Sequence, residues 1–81
     1  MNIEDIHDGE EYIYTCGIPA GCIGHRYKVH RHVLDVPAYQ TKVLVEALTG
    51  KDRGSWFTCS LANFAVRHRP VEPGDNTSDP E

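Results

Sequence analysis

Across residues 11–71 apolar and polar side chains tend to alternate with a period of two, the pattern of half-buried β-strands. Residues 11–16 (Glu-Tyr-Ile-Tyr-Thr-Cys) are rich in β-formers and close at Gly17, which predicts a first strand. Residues 17–24 hold three glycines and a proline, the chemistry of a loop. From His25 the alternation is clean. Tyr27, Val29, Arg31 and Val33 fall on one face, and Arg26, Lys28, His30, His32 and Leu34 on the other. Pro37 stops this strand or marks an edge. Residues 42–48 (Lys-Val-Leu-Val-Glu-Ala-Leu) form the most apolar run, and its valines and short length predict a central strand rather than a helix. Residues 49–54 read as a glycine-bounded hairpin turn. The next strand, 56–61, sets Phe57, Cys59 and Leu61 against Trp56, Thr58 and Ser60. Residues 62–64 read as one tight turn before a last strand over 65–71.

Five short strands predict an all-β domain. A sheet this small closes on itself to remove aggregation-prone edges, and the order of parts is that of an SH3-like five-stranded barrel with a one-turn 3-10 element before the last strand. An OB-like barrel competes, but it usually needs more residues and a helix between its middle strands. Residues 1–10 are an acidic N-terminal segment, 11–71 the barrel, and 72–81 a Pro/Gly/Asp-rich acidic tail expected to be disordered.

The run Val43-Leu-Val-Glu-Ala-Leu-Thr-Gly50, then Trp56, then Leu61-x-x-Phe64, resembles the ending of a family of short bacterial and phage proteins of unknown function. That family folds as an SH3-like barrel, and Tyr12 to Tyr14 fall where it has its first strand. The resemblance covers about half the chain and rests on packing positions. It departs from the family where Cys59-Ser60 replaces an Arg-Pro pair, and it transfers no catalytic residue.

Composition narrows the class. The 81 residues suffice for one small domain, with a mean hydropathy of −0.47 and 40% hydrophobic residues. No apolar run approaches the roughly 20 residues that cross a bilayer. The acidic start has no apolar core of a secretory leader, and three cysteines are an odd number, so a reducing, cytoplasmic setting is expected. Net charge is −4, which on its face disfavours phosphate-bearing partners. That average hides a segregation. Residues 1–11 carry five acids and residues 72–81 four, whereas 12–71 hold all eight bases against Asp35, Glu46 and Asp52, a balance of +5.

The charge changes the candidate chemistry. On a strand Arg26, Lys28, His30 and His32 project from one face at intervals of roughly 7 Å. Arg and Lys suit phosphate, and His donates or accepts according to its protonation. Arg53 on the hairpin and Arg67 on the last strand can converge on them, while Tyr27 and Trp56 offer stacking faces and Thr58 a hydroxyl. A solvated outer sheet face explains the same basic strand, and a lone Trp in a small barrel ordinarily plugs one end. Cys16-x5-Cys22-x2-His25 has metal-ligand types but misses the usual knuckle spacing, so no metal and no cofactor are expected. The glycine loop matches no phosphate-cradle motif, and no nucleophile–base pattern is present, so an enzyme is not expected.

These features predict a non-enzymatic module that binds, and sequesters, a small anionic nucleotide-type ligand. A phage protein sponging up a host's nucleotide signal is one such setting. A homo-oligomer is expected, since a pocket of roughly 300 Å³ or more is hard to build within 60 residues. A protein-docking module is the alternative, and an RNA or single-stranded DNA binder, opposed by the acidic ends, comes third.

Overall fold

A computed structural model describes residues 1–15 and 23–72. Its strands are β1 (Glu11–Tyr14), β2 (Arg26–Val33), β3 (Lys42–Ala47), β4 (Trp56–Ser60) and β5 (His68–Pro70), with a helix α1 (Leu61–Arg67) between the last two. Short 3-10 turns stand at Ile3–Asp5 and Ala38–Gln40. All five strands form one antiparallel sheet in the order β4-β3-β2-β1-β5. The sheet is not closed: β4 and β5 are its two edges. Cys16, the glycine loop up to Cys22 and most of the acidic tail lie outside the described residues.

Alternation builds the core. Tyr12 and Tyr14 of β1, Tyr27 and Val29 of β2, and Val43, Val45 and Ala47 of β3 turn to one face and are buried there. α1 covers that face. The segment expected as a tight turn is a seven-residue helix because Leu61, Phe64 and Ala65 recur at helical spacing. Ser60, in extended conformation, accepts a hydrogen bond at Oγ from the Asn63 N–H at 3.0 Å and so caps its start. The helix consumes residues 61–67, which shortens the last strand to three residues.

The acidic N-terminal segment is part of the fold. Ile6 is buried, and the N-terminal amine donates to the Ala65 carbonyl at 3.1 Å. The Tyr12 hydroxyl accepts from the His7 N–H at 2.8 Å and donates to the Asp5 carbonyl at 3.0 Å. Burial, opposed by that bond from His7, pushes the Tyr12 hydroxyl above its ordinary range.

Two local features position side chains. The β2–β3 register shifts between Val29 and Arg31, so His30 is an extra, bulged residue. Beyond it Arg31 stands opposite Leu44, and His32 opposite the buried Val43. The expected common face of Arg26, Lys28, His30 and His32 therefore breaks at its last member, and Arg31 takes the place of His32. At the β3–β4 turn, Gly50 has a φ of +86°, and a Cβ there would meet the His25 ring at 3.1 Å. Only glycine fits both demands.

Candidate functional site

Two surfaces compete for the predicted site, one on each side of the sheet. On the outer face, the register aligns Lys28, Glu46 and Trp56 in one row across β2, β3 and β4. His30 lies flat on the Trp56 ring, with centroids 3.9 Å apart and an 18° tilt, and its Nε2 is 2.8 Å from the Glu46 carboxylate. Arg26 donates to Glu11 at 3.4 Å. His32 Nδ1 meets Asp8 at 2.7 Å. The basic strand thus faces acids drawn from the N-terminal segment, β1 and β3. Trp56 is 54% exposed, which excludes a role as a barrel plug, and one of its faces is already used by His30. Thr58 is exposed on the same face, opposite Leu44.

On the inner face, a cavity of about 470 Å³ opens between the sheet and α1. Its apolar walls are Tyr14, Tyr27, Phe57, Cys59, Phe64 and His68, drawn from β1, β2, β4, α1 and β5. The rings are mutually fixed. Tyr14 and Tyr27 meet edge-on at 6.2 Å, Tyr27 and Phe57 at 6.0 Å, and His68 stacks on Phe64 at 3.8 Å with a 7° tilt. Asp52 and Ser55 enter from the β3–β4 turn, and Asn63 and Arg67 from α1. The Arg67 carbonyl accepts from the Thr15 N–H at 2.7 Å and from its hydroxyl at 3.0 Å, which anchors the end of the helix. Its guanidinium has no ion pair among the described residues. Burial pushes the Cys59 thiol up, so it stays protonated at neutral pH and is not a nucleophilic thiolate.

His68 is the polar centre of this wall. It is 8% exposed, and its Nδ1 donates to the Phe64 carbonyl at 3.0 Å. Burial, with a smaller contribution from the Arg67 charge and against the Phe64 bond, pushes the ring down to about 4. The imidazole is therefore neutral at pH 7, with its one hydrogen on Nδ1 and a bare lone pair on Nε2. No fully buried side-chain nitrogen or oxygen among the described residues lacks a hydrogen-bond partner. Nε2 bonds to no described residue, and its ring lines the cavity.

The fold divides the predicted site residues. Arg26, Lys28, His30, Trp56 and Thr58 stay on the outer face, Tyr27 and Arg67 belong to the cavity, His32 stands at the far end of β2, and Arg53 is exposed on the hairpin turn. Tyr14, Phe57, Phe64 and His68 were not predicted as site residues. The first three read singly as core and His68 as one more base beside Arg67 and Arg69, and the signal that could have found them is the gathering of aromatic residues at inward positions of three strands. Among the described residues, no group of three or more His, Cys, Asp or Glu is placed to hold a metal, and no helix is long and apolar enough to cross a membrane. Compared with protein-family models, curated proteins and solved structures, the chain matches none.

Proposed function

We propose that the chain is a non-enzymatic binding module that takes up, and sequesters, a small anionic ligand of nucleotide type in the inner-face cavity. The observation that supports this reading is the cavity itself. At about 470 Å³ it lies within the roughly 300–1,000 Å³ of small-molecule pockets, and a single chain supplies all of it. Aromatic walls suit a flat ring. Arg67, which has no ion pair among the described residues, offers its charge to a phosphate, and Asp52 accepts hydroxyl hydrogen bonds such as those of a ribose. The two rim charges have opposite sign, so they orient a ligand whose ends differ. Long nucleic acid is disfavoured, because Arg26, His30 and His32 each already face a carboxylate. The SH3-like barrel is part of the same proposal, supported by the strand order and by the helical element before β5.

Isothermal titration against nucleoside mono- and diphosphates, cyclic dinucleotides and ADP-ribose tests this reading. At least one should bind, and Arg67→Gln should weaken it about tenfold or more, the worth of a charged hydrogen bond. Arg26→Gln and Lys28→Gln should leave the affinity unchanged. No heat from any ligand counts against the proposal. Loss of binding in the Arg26 and Lys28 variants, with Arg67→Gln unaffected, moves the anion site to the outer face.

A second reading, protein docking, has its own observation in the β4 edge. Among the described residues β4 pairs with β3 alone, and residues 56–60 contain no charge and no proline. Trp56 is 54% and Phe57 40% exposed. The β5 edge, by contrast, is three residues long and ends in Pro70. An uncharged strand pairs with its own copy without repulsion. Antiparallel pairing about Thr58 sets Trp56 opposite Ser60 of the partner subunit and Phe57 opposite Cys59 of the partner subunit. A dimer by light scattering, converted to monomer by Thr58→Pro with the circular dichroism spectrum retained, is the expected result. A wild-type monomer at 100 µM (roughly the top of a physiological range) rejects it.

A further inference from the structure

We infer that the cavity selects its ligand through a hydrogen-bond donor on the edge of the entering ring, delivered to Nε2 of His68. The inference rests on the reading of the cavity as a ligand site, but it concerns the chemistry of the ring and not the phosphate.

The Phe64 carbonyl can only accept, so its 3.0 Å bond to His68 fixes the hydrogen on Nδ1 and leaves Nε2 as an acceptor. The ring cannot turn to reverse these roles without breaking that bond and its stack on Phe64 at 3.8 Å. Tyr14 at 5.1 Å and Tyr27 at 5.4 Å meet it edge-on and hold the same orientation. The lone pair of Nε2 thus has a fixed place in a mostly apolar wall. A ring that fills the cavity keeps water from that lone pair, so the ligand must then supply the hydrogen.

A ligand with a ring N–H, an exocyclic amine or a hydroxyl does so. One whose edge carries only carbonyl, ether or methyl groups leaves a buried acceptor unmet, at a cost that corresponds to roughly 5- to 150-fold in affinity. The same logic separates this cavity from an aromatic cage for quaternary ammonium. Such a cation has no N–H to give Nε2, and the Arg67 charge repels it.

The test uses neutral fragments, so that it does not depend on phosphate recognition. Phenol and anisole share a flat ring and differ in one O–H. Titrations followed by NMR should show phenol binding at least about tenfold more tightly than anisole to the wild-type protein, with shifts at Tyr14, Phe57 and His68. In His68→Phe, which keeps a ring on Phe64, the preference should vanish while anisole still binds. In the free protein, nitrogen-15 correlation spectra of the imidazole should place the hydrogen of His68 on Nδ1. Equal binding of the two fragments to the wild type overturns the inference, as does a preference that survives in His68→Phe or a hydrogen found on Nε2. The tautomer measurement needs no variant, so it decides even where His68→Phe fails to fold. If phenol is preferred and no nucleotide binds, the donor rule stands and the nucleotide reading falls. If neither fragment enters the cavity, the donor rule falls, and the nucleotide titrations alone decide the nucleotide reading.

Discussion

Truncating Phe64 to alanine should cost the fold about 3–5 kcal/mol, the range for removing a fully buried aromatic ring. Phe64 is 1% exposed, meets Tyr12 edge-on at 5.4 Å and carries His68 on its face at 3.8 Å. It is the side chain through which α1 closes the inner face, and its loss removes both ring pairs. A domain this small has a total stability of roughly 5–15 kcal/mol, so the variant should lose a fifth or more of it. In a thermal melt that corresponds to a fall of roughly 12–40 °C. Val66→Ala is the control, because Val66 lies on the same helix at 71% exposure and should shift the stability by no more than about 0.5 kcal/mol. Should Phe64→Ala melt within a few degrees of the wild type, α1 is not the lid of this core. The aromatic walls of the cavity would then not be held as described.

The strands were legible because burial on one face forces alternation, and Val43, Val45 and Ala47 show it without interruption. The turn between β3 and β4 was legible from Gly50 and Gly54, whose positive φ values of 86° and 89° are what such a turn requires. Two features were not. The bulge at His30 inserts one residue without changing composition, so nothing in the string Tyr-Lys-Val-His-Arg-His reveals that His32 leaves the face of Arg26 and Lys28. The helix was hidden by its length. Seven residues are too few for a periodicity to stand out, although the cap Ser60 and the Leu61, Phe64, Ala65 spacing were present. Closure of the sheet was expected from the hazard of open edges, and β4 and β5 instead remain apart across the described residues.

The site was harder to read than the fold, for a physical reason. The charge segregation is real, but a sum over residues 12–71 cannot show that Asp8, Glu11 and Glu46 sit against His32, Arg26 and His30. Nor can a sequence show that His68, which lies between the basic Arg67 and Arg69, is neutral. Its state comes from burial among rings supplied by three other elements. Of the site residues the sequence predicts, only Tyr27 and Arg67 line the cavity. The aromatic face of Tyr27 and the charge of Arg67 are the properties that single them out in the sequence, and the proposed reading of the cavity draws on both.

Burial of neutral His68 also predicts how the fold responds to acid. The ring is pushed down to about 4 in the folded chain, against 6.5 when unfolded. Between these values the unfolded chain binds a proton that the folded chain does not, so lowering the pH favours unfolding. The stabilisation is fully present above pH 6.5 and is lost as pH falls toward about 4. Each pH unit across that window is worth about 1.4 kcal/mol, which amounts to roughly 3 kcal/mol in all. Denaturant titrations at pH 7, 5.5 and 4.5 should register the loss progressively in the wild type. In His68→Phe the ring that titrates is gone, so its stability should fall less over the same range. Every other group is common to the two proteins, and the difference between the two slopes therefore isolates His68. Parallel curves between pH 4 and 6.5 would show that His68 takes up its proton as readily in the fold as out of it. The proposed ligand selection would then weaken toward neutral pH, because a protonated Nε2 donates where the proposed ligand also donates.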